Sequence, residues 1–394
     1  MNATDSVRPT FDRLQNTSLI IGVLGIIGLV AGLFMNATQF FQSYLYAYLF
    51  WGGLAIGSLG IMLLHNVVGG NWGVVIRRMY EAGTGTLPIV LIGLIPVLLG
   101  MKTLYTWTNP ATLGETAHIG FKGAYLSTWF FIVRSLAYIA VWFFWGYRLL
   151  GWSSEQDRTG DPDRAIFGRM KAFSAPGLLI FAFTTSWAFI DWVMSIEPKW
   201  YSTVFPWLFT IGEMLLTFAF LVAVLILLSH RKPFSDVLNF QHFNDLGNLI
   251  LTFTMLWAYM MLSQFLIQWS ENLPVEIPWW IERFSNGWGY IAFFVGVFHF
   301  CVPFFLLLMR FVKRNPKILF WVAIWMIIVR IVDVFWIVIP SFRQPYLSVS
   351  WMDLVAFIGI GGIWMAFFLF NMKKRPLLPM HDHRLGFRPL ESEA

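Results

Sequence analysis

The sequence predicts an all-α polytopic membrane protein with ten transmembrane helices. Of its 394 residues, 58% are hydrophobic and only 12% charged, against about 25% charged in an ordinary soluble domain. Apolar runs of about 20 residues, the length that crosses a bilayer as a helix, recur along the whole chain. The alternating ten-residue segments of a membrane β-barrel do not occur.

The spans read as roughly 18–35, 43–65, 86–101, 124–150, 172–194, 203–229, 245–268, 286–311, 316–338 and 351–371. The first is long for a signal-peptide core and has no Ala-x-Ala-like exit, so it reads as a retained helix. The third is short and interrupted by Pro96. The organisation is then an N-terminal segment 1–17, a membrane domain 18–371 and a tail 372–394. An even number of spans puts both termini on one side. That side carries 20 of the 27 Lys and Arg, whereas the other has only Lys102, Lys122, Lys199, Arg283 and Arg343. The positive-inside rule makes the richer side cytoplasmic.

No loop is long enough to be a domain. The segment 151–171 reads as a mixed-charge connector, and the Pro- and Trp-rich 270–285 as packing at the outer interface. The tail reads as a solvated extension, and its His381-Asp-His383 as a weak metal motif. The single Cys301 rules out a Cys-ligated iron–sulfur cluster or a C-x-x-C-H haem attachment within this chain. The net charge of +6 sits at membrane edges and does not indicate nucleic acid.

The stretch Thr184–Glu213 concentrates the chemistry. Glu197 sits in its turn, but Asp191 and Glu213 lie in apolar windows, where a charge costs several kcal/mol unless paired or wetted. At 1.5 Å of rise per residue, Asp353 and Asp191 come roughly 5 Å below the outer edge and Asp333 about 9 Å. Arg330, Arg134 and Glu213 fall at roughly 14–15 Å, His299 at about 20 Å and His65 at roughly 33 Å, on the cytoplasmic edge. Arg330 and Asp333 are three apart and share a helix face. Glu213 and Arg134 match in depth and sign and form a second candidate pair.

Several readings of this ladder stay open. One is a proton-conducting half-channel from outside to mid-membrane, with acids and His as relays and Arg tuning them. Another is a set of ion pairs that only hold the bundle together. A third is a quinone pocket at Asp191 among Trp187 and Trp192. A bis-His haem is disfavoured, because His299 and His65 differ by roughly 13 Å in depth. A stand-alone secondary transporter would show broken helices at matching places in two halves, and Pro96 has no counterpart.

Three segments carry a family resemblance. They are Phe189-Ile-Asp-Trp-Val-Met-Ser-Ile-Glu-Pro-Lys-Trp-Tyr-Ser-Thr203, the region Asp245–Asn272 with Phe253-Thr-Met-Leu-Trp-Ala-Tyr259 and Ser263-Gln-Phe, and His299-Phe-Cys-Val-Pro-Phe-Phe followed by Lys313-Arg-Asn-Pro. Together they resemble the second NrfD-like (polysulfide-reductase-type) membrane subunit, the ActF type, of bacterial alternative complex III. The resemblance implies two four-helix bundles, helices 2–5 and 6–9, flanked by helices 1 and 10. It implies a subunit without a redox centre in a quinol:electron-acceptor oxidoreductase of a respiratory or photosynthetic chain. Any enzymatic activity then belongs to the complex. The implied partners are the paralogous NrfD-like subunit, an iron–sulfur subunit, c-type cytochrome subunits holding haem c, small membrane subunits and lipids. Menaquinol or ubiquinol is the implied substrate.

Overall fold

The computed structural model of the chain describes residues 8–109 and 121–385, and every regular element among them is helical. Among the described residues, ten helices are long and apolar enough to cross a membrane. They are α1 (Arg8–Met35), α2 (Ala37–Val68), α3 (Arg77–Leu99), α4 (Thr128–Thr159) and α5 (Ala165–Ile196), followed by α6 (Phe205–Leu228), α7 (Phe240–Glu271), α8 (Trp288–Leu308), α9 (Pro316–Ser341) and α10 (Trp351–Met372). Each overlaps one span expected from sequence. Several run further, because backbone hydrogen bonding continues past the apolar run into polar turns.

Two assignments change as a result. Residues 8–17 belong to α1 rather than to a separate segment, and residues 1–7 lie outside the described residues. The connector 151–171 is mostly helix: α4 continues to Thr159, where Gly160 at φ 80° ends it, and α5 starts at Ala165. Asp161 caps that start, accepting from the Ile166 and Phe167 N–H groups at 2.9 Å each.

Local caps set the other starts. Asn36 accepts from Gln39 N at 3.0 Å ahead of α2. Asn315 caps α9 just before Pro316, a residue suited to the first helical turn. Ser350 and Asp353 form a reciprocal capping box on α10. The eighth helix is not uniform: Gly296–Cys301 forms a π-helical turn between two α-helical halves.

The centre of the molecule is α2, buried along almost its whole length. Its small residues let neighbours approach closely. It packs against α1, α3, α5, α6, α9 and α10, while α6 packs in turn against α5, α7 and α9. The seam between α1 and α10 is glycine on glycine: a Cβ at Gly22 would meet the backbone of Gly362 and Ile363, and one at Gly25 that of Gly359. The outward faces of α1, α7 and α8 carry exposed large apolar side chains, as a lipid-facing surface requires.

Both ends of the bundle are closed by polar structure. At one end the segment 270–285 forms a short helix, Ile277–Phe284, with Trp279, Trp280 and Arg283 buried. At the other, the tail is not a solvated extension. Residues 375–385 fold back on the bundle, burying Leu377, Leu378 and Asp382. Arg77 Nη1 bonds Asp382 Oδ2 at 2.9 Å, and Lys373 pairs with Asp12 near the start of α1. Tail residues 386–394 lie outside the described residues.

Candidate functional site

The charged ladder resolves into three separate clusters. The first joins α4 to α5. Arg134 grips Asp191 with two parallel hydrogen bonds, Nε to Oδ2 and Nη2 to Oδ1, each 2.9 Å. Tyr138 donates to Oδ2 at 2.9 Å, and Arg134 Nη1 reaches the Tyr125 carbonyl at 2.8 Å. Both carboxylate oxygens of Asp191 therefore have charged donors in a bidentate geometry. This is a satisfied pair, and it displaces the depth-matched pairing of Arg134 with Glu213.

The second cluster lies at the start of α10. Arg343 donates to both oxygens of Asp353 at 2.7 and 2.6 Å, Ser43 adds 2.6 Å, and the Ser350 N–H donates at 2.8 Å. Asp353 thus combines a helix cap with an ion pair. It too is fully engaged.

The third cluster is different. It is built by α6, α7, α8 and α9 at the edge of α2. Arg330 Nη2 lies 3.0 Å from Glu213 Oε1, and Nη1 hydrogen-bonds Asp333 Oδ2. The i,i+3 pair expected on α9 is therefore present, with Glu213 as a second acid on the same guanidinium. The π-helical turn of α8 places His299 Nδ1 3.5 Å from Asp333 Oδ2, within ion-pair range but without hydrogen-bond geometry. The Trp257 ring packs on His299 with centroids 4.1 Å apart, and its indole lies near Asp333 without closing a hydrogen bond. Arg330 also lies 5.0 Å from the Phe209 ring.

Glycine makes room for this cluster. A Cβ at Gly53 of α2 would collide with the Glu213 carboxyl, and one at Gly212 with the Arg330 guanidinium. Gly53 of α2, read only as part of an apolar run in the sequence, is thus part of the site.

All four polar members are essentially inaccessible to solvent. Even so, Glu213 Oε2, Asp333 Oδ1, Arg330 Nε and both ring nitrogens of His299 have no hydrogen-bond partner. Buried polar groups are normally paired, and each exception calls for a reason. The charges do not balance either: two carboxylates share one guanidinium. With His299 neutral, the cluster carries one excess negative charge in a low-dielectric setting, where an uncompensated charge costs several kcal/mol. One added proton, on either acid or on the imidazole, cancels it. Three proton acceptors thus surround one fixed cation.

The remaining expected residues fall elsewhere. Trp192 is buried and donates to Ser135 Oγ at 3.0 Å, whereas Trp187 is 49% exposed on the outside of α5. Asp191, Trp187 and Trp192 therefore do not line one pocket. His65 is buried at the terminal end, with Nδ1 2.7 Å from the Tyr80 hydroxyl and Nε2 3.2 Å from Arg384 Nη1.

Two polar networks escaped the sequence reading. Glu81 accepts from Arg77, Arg78, Arg375 and Ser153 at 2.6–3.2 Å. At the opposite end Arg283 holds Glu197 with two 3.2 Å contacts, and Ser341 donates to the same carboxylate oxygen. The only sequence signal for either was a set of charged residues beside apolar runs. Among the described residues, no group of three or more His, Cys, Asp or Glu is arranged to hold a metal ion.

No protein-family model matches the chain, and no curated protein matches it.

Proposed function

We propose that the Glu213–Arg330–Asp333–His299 cluster is a proton-exchange site within the membrane domain. The observation that carries this reading is the pairing of two carboxyls with one guanidinium beside an unpartnered imidazole, all buried. A purely structural ion pair is expected to look like Arg134–Asp191 or Arg343–Asp353, with every oxygen engaged. In the central cluster a proton can move among Glu213, Asp333 and His299, while Arg330 stabilises whichever acid is ionised. Arg330 keeps its charge throughout.

The resemblance of the sequence to ActF-type NrfD-like subunits supplies the setting. In this reading the chain is a subunit without its own redox centre in a quinol-oxidising complex of the bacterial inner membrane, with both termini cytoplasmic. The helices would divide as two four-helix groups, 2–5 and 6–9. The Lys and Arg asymmetry supports the orientation, and the packing of α3–α5 on α2, of α7 and α9 on α6, and of α8 on α7 and α9 supports the grouping. Asp191, Arg134 and Asp353 would brace the outer half, so the proposed half-channel narrows to the central cluster.

Two experiments test this. Mild-detergent purification through a C-terminal tag is expected to bring down a multihaem cytochrome and an iron–sulfur protein; a chain isolated alone removes the complex assignment. In proteoliposomes of that complex, Glu213→Gln is expected to lower proton movement per electron while assembly persists. Unchanged stoichiometry removes the proton role.

A further inference from the structure

At the end of the bundle where α1 starts and α10 ends, a half-enclosed pocket of about 300 Å³ opens between α3, α4 and α10. It stands where the apolar runs give way to polar turns. One wall is apolar, formed by Tyr147, Leu150, Phe367 and Met372. The other is polar, formed chiefly by Arg78, Glu81, Lys374 and Arg375. The pocket is therefore amphiphilic and lies at interfacial height.

Its polar wall has positive charge to spare. Among the described residues, Arg77, Arg78, Arg375 and Arg384 are joined in one ion-pair network to three carboxylates, Glu81, Asp157 and Asp382. Lys374 adds a further cation at the rim, where it bonds the neutral Asn371 side chain at 3.0 Å, lies 4.1 Å from the Phe370 ring and has no carboxylate partner among the described residues. Arg78 is 3% exposed and uses both terminal nitrogens on Glu81, Ser153 and Asp157. Its Nε is buried without a partner. Two excess positive charges and an apolar wall at the membrane boundary call for a ligand with an anionic head and an apolar tail.

We propose that this pocket binds an anionic phospholipid, with the phosphate against Arg78, Arg375 and Lys374 and an acyl chain along Tyr147 and Phe367. Basic pockets between transmembrane helices recognise phosphate headgroups in this way, and guanidinium groups match phosphate oxygens with directed donors. A soluble phosphate would satisfy the polar wall but leave the apolar one uncovered. The assignment does not depend on the proton-exchange reading.

Gly151 offers a clean test. It lines the pocket, sits inside helix α4, and a Cβ there meets nothing within 4 Å. Gly151→Leu therefore adds an apolar side chain at the pocket lining, where a Cβ meets no neighbour, and leaves the charge unchanged. Delipidated protein in detergent would be titrated with phosphatidylglycerol, phosphatidylcholine and glycerol 3-phosphate, reading Tm and lipid retention by native mass spectrometry. Phosphatidylglycerol is expected to raise Tm saturably and phosphatidylcholine is not. Gly151→Leu is expected to abolish the shift and Lys374→Gln to weaken retention about fivefold, each read against the variant's own lipid-free Tm, which removal of a helical glycine raises. An equal response to phosphatidylcholine, a full response in Gly151→Leu, or the same shift with glycerol 3-phosphate alone overturns the proposal.

Discussion

Gly53 of α2 and Glu213 of α6 occupy one shared space: the carboxyl of Glu213 fills the volume a side chain at position 53 would take. The acid is held there by Arg330 at 3.0 Å. Backbone approach on one side and a cation on the other fix where the charge sits.

Gly53→Ala is accordingly expected to destabilise the protein by about 1–3 kcal/mol, as overpacking of a filled interior does. Glu213→Asp shortens the acid and should recover much of that loss in the double variant. Thermal stability in detergent measures the coupling; strictly additive effects would show that the two residues do not share the space.

Removing one acid and removing the cation should have opposite consequences. Glu213→Gln leaves Arg330 paired with Asp333, so yield and Tm should stay near wild type. Arg330→Met leaves two buried carboxylates without a cation and should cost roughly 3–5 kcal/mol. Equal expression and melting of the two variants would contradict the charge count.

Asp382 ties the tail to the bundle, and its titration sets the pH range of that clasp. Burial alone would raise its pKa, but hydrogen bonds from Arg384 and the Arg77 charge outweigh burial and hold it below the usual carboxylate range. A depressed carboxylate stabilises the folded state above the unfolded pKa of about 3.9 and loses that contribution only as pH falls further. The tail should therefore resist proteolysis at Lys373–Arg375 from neutral pH down to about 4. Asp382→Asn should make the same bonds cleavable at pH 7. Equal cleavage in variant and wild type would refute the clasp.

Glu282, on the short helix at the opposite end, behaves in the reverse sense. Burial, reinforced by repulsion from Glu197 and opposed by Arg283, pushes its pKa up to about 7. A raised carboxyl binds its proton in the fold more tightly than in the unfolded chain, so stability declines as pH rises from about 4.3 towards 7. Glu282→Gln should flatten Tm against pH in that window and raise Tm at pH 8. An unchanged profile would show that Glu282 does not titrate there.

The ten helices were legible because a bilayer demands about 20 apolar residues per crossing, a signal local in sequence. So was the Arg330–Asp333 pair, since residues three apart on a helix are neighbours whatever surrounds them. The partner of Glu213 was not. Depth ranked Arg134 beside it, but depth says nothing of the direction a residue faces, and Arg134 turns to Asp191 on α5. Trp187 and Trp192, five residues apart, shared a sequence window yet lie on different sides of α5. The tail was misread for a related reason. Polar residues read as solvated unless something shows that Arg77 and Glu81, some 300 positions earlier, are waiting for them.

By itself, then, the sequence determined that the described residues hold ten helices long and apolar enough to cross a membrane, that ionisable groups lie within them, and that Arg330 meets Asp333. These follow from short-range periodicity and from the energetic demands of the bilayer. Only the tertiary structure decided which charges are satisfied and which are left without a hydrogen-bond partner. That distinction depends on helix rotation and on the clearance that Gly53 and Gly212 provide, and neither is encoded in any single helix.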